Sequence, residues 1–256
     1  MFPRVCGRAR PWRGMERLLR KGCPMSPASD RNPSLLHGVI ACTLRGRRAS
    51  DAIEIVTERD GAVSIVVLDV RAAREQESLR ARLASSALVS LAEREPMHVL
   101  ANSLRTIVCQ AVAASVGVTA LRVHPMHGRV ELLNAGMPPV ACALPDGRLL
   151  QMPALSGDVG PRSNRAHPYE LIPLAPGSIW FVASDGATGG SLEDTNQLWA
   201  SLGLPASSFE LAAESHEGLE RRLREQLGEL PLPEDASLVV VPTAAPRRTE
   251  SGIRDS

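Results

Sequence analysis

Ser178-Ile-Trp-Phe-Val-Ala-Ser184-Asp185-Gly186-Ala-Thr-Gly-Gly190 is the stretch around which the chain is organised. A short apolar run, Ile179 to Ala183, climbs straight into an acid and a glycine. A run of that length and β-leaning composition reads as a buried strand. Asp185 therefore stands where a strand leaves its sheet, and Gly186 lets the backbone turn sharply there. An Asp-Gly pair of this kind most often does no more than open a turn. Its meaning depends on whether other strands deliver acids to the same place.

They do. Upstream, Leu36 to Leu44 reads as a strand, followed by the basic turn Arg45-Gly46-Arg47-Arg48. Asp51 introduces a second strand with partial alternation, and Asp60-Gly61 marks a hairpin turn after it. The third, Val63 to Leu68, is almost wholly apolar, which predicts cover on both faces, and it ends on Asp69. Leu79, Leu83, Ala87 and Leu91 recur at helical spacing between Arg71 and Arg94, and a second helical stripe follows Pro96. Strands resume at Val118–Val123, Arg129–Leu133, Val140–Leu144 and Leu149–Leu150. Residues 153–168, rich in Pro, Gly, Ser and Arg, read as a long loop, and Tyr169–Leu174 as the strand before the opening stretch. Beyond Gly190, helices are predicted over Leu192–Leu204 and Phe209–Leu227, and a buried strand over Ala236–Val241 directly after Glu234 and Asp235. His124 and His127 share a hairpin turn without a third ligand, which argues against a metal role.

Composition narrows the function classes. The chain has 256 residues, 44% of them apolar, ample for one domain with a full core. A net charge of +1 and 3% aromatics give neither the field nor the stacking surface of a nucleic-acid binder. Five scattered cysteines form no CxxC pair and imply a reducing, cytoplasmic setting. No apolar stretch approaches the ~20 residues of a membrane span. Residues 1–36 carry a crowd of arginines without the apolar centre of an export signal, and read as a disordered leader or as sequence ahead of a later start. A basic nucleic-acid arm is the alternative there. Residues 243–256 read as a disordered tail, leaving 37–242 as the folded domain.

Four carboxylates, Asp51, Asp69, Asp185 and Asp235, thus stand at strand ends. Brought together they repel by about 4 kcal/mol per pair at ~4 Å and an effective dielectric of ~20, so they need protons or cations. Oxygen-only ligands select hard divalent ions such as Mg²⁺ or Mn²⁺, and two such ions would acidify a water for attack on phosphorus.

From about residue 37 to 242 the chain resembles the metal-dependent protein phosphatases, the PPM superfamily, and in particular its SpoIIE type. The resemblance rests on Ala49-Ser-Asp51-Ala-Ile-Glu54, Leu68-Asp69-Val-Arg-Ala-Ala-Arg74, Asn134-Ala-Gly-Met-Pro-Pro139, Ser184-Asp185-Gly186 and Glu234-Asp235-Ala-Ser237, in the family's order and spacing. It implies an α+β fold, a four-layer α-β-β-α sandwich of two packed, mostly antiparallel sheets flanked by helices. By the same resemblance Asp69 bridges two ions, Mn²⁺ or Mg²⁺, with the Val70 carbonyl as a further ligand. Asp185 and Asp235 complete one shell, and Asp51 acts on the other through water. Asp69 and Asp185 are then the catalytic residues. The implied substrate is a phosphoserine or phosphothreonine protein, of the STAS-type anti-sigma antagonist or stress-complex scaffold kind, handled by a stand-alone RsbX-like member.

Three departures from the pattern bear on activity. Glycines expected around Asp69 are replaced in Val70-Arg-Ala-Ala-Arg74, those before Asp51 are Ala49 and Ser50, and Met137 stands where a histidine is usual. Arg71 and Arg74 bring positive charge to the acids, and either repel a cation or bind a substrate phosphate. Two readings follow: a phosphatase using two divalent ions, or a phosphatase-like module that captures a signalling partner without turnover.

Overall fold

A computed structural model describes residues 39–58, 60–163, 167–188, 195–203, 216–227, 232 and 234–243. Residues 1–38 and 244–256, and the first part of each of the two predicted C-terminal helices, lie outside these residues. Two five-stranded sheets form the centre, and every strand pairing in them is antiparallel.

The first sheet contains β1 (Ile40–Leu44), β6 (Val140–Ala143), β7 (Leu149–Met152), β9 (Ile179–Ala183) and β10 (Ala236–Pro242), in the order β1-β10-β9-β6-β7. The second contains β2 (Asp51–Thr57), β3 (Val63–Ala72), β4 (Ala114–His124), β5 (Arg129–Ala135) and β8 (Glu170–Pro173), in the order β2-β3-β4-β5-β8. The strand that runs into Asp185, the one that follows Asp235 and the one that carries Asp69 are all internal, as their apolar composition predicted.

Period-two alternation distributes their side chains between two cores. From β3, Val63, Ile65 and Val67 join Leu121, Val123, Val130 and Leu132 against Trp180, Val182, Val239 and Val241 of the first sheet. The alternate residues, Val66, Leu68 and Val70, face α1 (Gln76–Ala92) and α2 (Met97–Val108) through Leu79, Leu83, Leu91, Leu100 and Leu104. The outer face of the first sheet, including Phe181, Leu238 and Val240, is covered by α3 (Thr195–Ser201) and α4 (His216–Leu227) through Leu198, Trp199, Leu219 and Leu223. Trp199 meets Phe181 edge to face at 5.1 Å. The four-layer sandwich is therefore present.

Two boundaries differ from the sequence reading, with consequences for the site. β3 does not stop at Asp69 but continues to Ala72, paired with β4 down to Ala72↔Ala114. As a result α1 begins at Gln76 rather than near Arg71. The loop 153–168 is also more ordered than its composition suggests: Ser156 bridges Ala135, and Val159 is buried and bridges Val116.

Candidate functional site

Asp51 and Asp69 face each other in the β2–β3 register, and both are 1% exposed. Asp69 lies on the inter-sheet side with Ile65 and Val67, so it projects into the gap where the two sheets end. From the first sheet, Asp235 precedes β10, and Asp185 sits one residue beyond Ser184 at the end of β9. Backbone bonds lock these rims together: Ser184 N donates to Ser237 O at 2.9 Å, and Val70 N donates to Ser50 O at 3.0 Å. All four predicted acids thus arrive at one edge of the sandwich.

A fifth acid joins them that the sequence reading missed. Asp158, in the loop 153–168, accepts from Ser115 Oγ at 2.9 Å. Gly136 makes room for it: φ there is 68°, and a Cβ would collide with the side chain and backbone of Asp158. The glycine of Asn134-Ala-Gly136 is therefore a seat for a distant carboxylate. The local hint was an acid beside an apolar Val159, between Gly157 and Gly160.

Arg71 occupies the middle of this ring. Its Nε donates to Asp69 Oδ2 at 2.7 Å, Nη1 to Asp158 Oδ2 at 3.1 Å, and Nη2 to Asp185 Oδ2 at 2.6 Å. The extension of β3 explains the placement. Two residues on from Asp69, Arg71 returns to the same face of the strand. The expectation of Arg71 as a phosphate-binding residue is corrected to this extent: in this structure its donors are spent on carboxylates. Arg74 lies past the end of β3 and is exposed. Neither Ala72 nor Arg74 has a positive φ; the left-handed residue of the turn is Glu75, at 55°. The lost glycines therefore leave no backbone strain at their own positions.

Asp235 is fully buried and turned toward the β1–β2 loop. It accepts from Arg45 Nη1 at 2.7 Å, Gly46 N at 2.9 Å and Asp51 N at 3.3 Å. Asp51 Oδ1 accepts from Ser50 Oγ at 3.1 Å, while its buried Oδ2 has no donor. Burial pushes the Asp51 carboxyl up to about 7; the Ser184 and Ser237 hydroxyls, near it but outside hydrogen-bonding geometry, moderate this, and repulsion from Asp69 and Asp235 adds to it. Burial raises Asp69 to about 6, reinforced by Asp185 and opposed by Arg71. For Arg71 burial works downward, but Asp69, Asp158 and Asp185 together outweigh it and hold the guanidinium protonated. The Val70 carbonyl accepts from Gln76 Nε2 at 2.8 Å. Beside the ring opens a cleft of about 360 Å³, lined in part by Arg48, Ser50, Asp69, Arg71, Ser115 and Glu234.

These observations test the implied divalent ions. The donor set is all oxygen, and a buried carboxylate oxygen lacks any donor, both of which suit a hard cation. With Arg71 seated, no three His, Cys, Asp or Glu side chains among the described residues stand in ligand geometry. The acids match the group in chemistry, and a side-chain cation holds part of its place.

The sequence model of the family described as Stage II sporulation protein E (SpoIIE) matches residues 59–243. The chain belongs to the SpoIIE family. Solved structures agree in fold at low identity. The RsbU and RsbW domains of Rv1364c from Mycobacterium tuberculosis align with a TM-score of 0.64 and 17% identity, over 82% of this chain and 60% of that one. The catalytic domain of the serine/threonine phosphatase PstP, in complex with two manganese ions, gives 0.58 and 16%, over 82% and 99%. RsbX in complex with magnesium gives 0.57 and 13%, over 84% and 98%. No curated protein matches the chain by sequence. The fold is that of the PP2C-type serine/threonine phosphatases, and no helix among the described residues is long and apolar enough to cross a membrane.

Proposed function

We propose that this SpoIIE-family chain is a cytoplasmic, divalent-metal-dependent protein serine/threonine phosphatase. Its substrate would be a phosphoserine or phosphothreonine on a bacterial signalling protein, a STAS-type anti-sigma antagonist or a stress-complex scaffold. The observation that carries this is the convergence of Asp51, Asp69, Asp185 and Asp235, from both sheets, around a buried Asp51 oxygen that lacks a donor. Nothing in a structural sandwich requires so many acids with so little neutralisation.

Asp69, the Val70 carbonyl, Asp185 and Asp235 would hold Mn²⁺ or Mg²⁺, with Asp51 acting through water. Such ions supply charge neutralisation and a water acidified for attack on phosphorus. The chain's own residues do the rest. The backbone bonds between the strand ends hold the acids close against their repulsion, Ser50 and Gln76 orient Asp51 and the Val70 carbonyl, and Arg48 presents a positive group at the cleft. The test is phosphate release from an aryl phosphate and from a phosphoserine peptide, with and without Mn²⁺. Metal-stimulated release that falls to background in Asp69→Ala and Asp185→Ala supports the reading; equal release from wild type and both variants refutes it.

One observation favours a second reading. Arg71 satisfies three of the acids without any ion, as expected of a phosphatase-like module that binds a phosphoprotein partner without turnover. That reading expects partner binding with little dependence on Mn²⁺ and no phosphate release.

A further inference from the structure

The structure points to a specific role for Arg71. We propose that Arg71 is a tethered counter-cation that holds Asp69, Asp158 and Asp185 together in the metal-free protein and competes with divalent ions for those carboxylates. This rests on the reading of the acid ring as a divalent-ion site.

Three features support it. First, the guanidinium is planar and forked, and it spends its Nε and both Nη groups on three separate carboxylates at 2.6–3.1 Å. Second, the tether is built into the strand. The β3–β4 pairing continues through Arg71↔Ser115 to Ala72↔Ala114, so the backbone cannot carry the side chain away from Asp69's face. Ser115, opposite Arg71 in that register, fixes Asp158 through its hydroxyl, so the two ends of the clamp share one ladder. Third, the clamp has somewhere to go. The Arg71 side chain is 41% exposed, against 1% for Asp69, and it borders the 360 Å³ cleft. A rotamer change would move its charge from the acids into that cleft without disturbing β3.

A seated Arg71 lowers metal affinity by the fraction of time it occupies the ring, because an ion meets a competent site only when the side chain is out. If the clamp is closed about nine-tenths of the time, the apparent affinity drops about tenfold. Lysine in this position would not reproduce the effect, because a single ammonium cannot fork onto three carboxylates.

The experiment titrates Mn²⁺ into the full chain by calorimetry and follows thermal unfolding with and without Mn²⁺. It compares wild type, Arg71→Ala, Arg71→Met, which keeps an apolar stem, and Arg71→Lys. Expected are at least about tenfold tighter Mn²⁺ binding in the Ala and Met variants and a larger metal-induced rise in Tm than in wild type, with Lys in between. Two variants guard against loss of folding in one. Equal Mn²⁺ affinity in wild type and variants overturns the clamp and leaves the metal-dependent reading standing. Weaker binding in the variants also overturns it, by showing that Arg71 assists the ions. Absence of binding in all four proteins overturns the clamp and the metal-dependent reading together.

Discussion

The second sheet carries a cluster of charges at each end, and the two are built on opposite principles. At the far end from Asp51 and Asp69, Arg122 is buried and donates to Ser64 Oγ at 2.9 Å, Glu131 Oε2 at 3.3 Å and the Glu95 carbonyl at 3.0 Å. Arg94 grips Glu58 at 2.6 Å, and Arg129 lies 3.6 Å from Glu131. Three arginines there meet three acids, Glu58, Asp60 and Glu131. At the other end, among the described residues, Asp69, Asp158 and Asp185 share Arg71, Asp235 pairs with Arg45, and the Asp51 carboxylate has no ion pair. The balanced end borders the larger cleft, about 430 Å³ against 360 Å³. Cleft size does not favour the acid end; surplus charge does. A network that only stabilises a fold pairs its charges, whereas a site keeps some for a ligand.

Breaking the balanced end gives the largest expected effect on stability. Arg122→Ala removes the buried donor to Ser64, Glu131 and the Glu95 carbonyl, while Arg94 and Arg129 stay with Glu58 and Glu131, and should lower unfolding free energy by about 1.5–3 kcal/mol. Urea denaturation measures it, and Mn²⁺ should restore none of the loss. Arg71→Ala at the acid end should instead be a loss that Mn²⁺ recovers. If Arg122→Ala costs under about 1 kcal/mol, the contrast between the two ends collapses.

Gly186→Ala is the next test, and it acts on the acid end alone. A Cβ on Gly186 would run into the Asp235 carbonyl, just as one on Gly46 would meet the backbone of Glu234. These glycines grip the Glu234–Asp235 turn from two sides and bring β1, β9 and β10 to one rim. The variant should lose about 1–3 kcal/mol from overpacking, and its loss of Mn²⁺ affinity should be disproportionate. Unaltered affinity would show that Asp185 and Asp235 need no such close approach.

Much of this site was legible from sequence because it is written in strand ends. The apolar run into Asp185 put that acid at a strand end, where it lies, and the run into Asp69 put that acid on an internal strand, though β3 goes on to Ala72. Asp51 and Asp235 followed from the same logic. Two features were not legible. Arg71 was read as lying beyond the strand, since a run of apolar residues ends at Asp69; only the ladder to β4 carries β3 on to Ala72 and turns Arg71 back onto the acids. Arg71 and Arg74 look equivalent in sequence, yet period two places Arg71 in the ring, while Arg74 falls past the end of β3 and is exposed. Asp158 sits in a Pro- and Gly-rich loop with no periodicity. Its position comes from the Gly136 seat and from bridges to Val116 and Ala135, contacts distant in sequence.

That loop supplies the smallest and sharpest test. His167 is buried, with Nδ1 at 2.8 Å from Ser156 Oγ and Nε2 at 2.8 Å from Ser163 Oγ. It thereby closes the loop that presents Asp158. Burial first, then the charge of Arg105, holds its pKa below the ordinary histidine value. The unfolded chain therefore takes up a proton before the fold does, so His167's contribution is fully present above about pH 6.5 and is lost as pH falls through the folded value. In the metal-free protein Asp51 and Asp69 act with the opposite sign: raised to about 7 and about 6, they favour the fold as pH falls. Comparing wild type with His167→Gln cancels that background. Between pH 7 and 5 the wild type should lose stability relative to the variant, with the difference gone from the slope above pH 7. Parallel curves across the whole range would mean that the fold admits a charged His167, and that the loop reaches Asp158's position without this clasp.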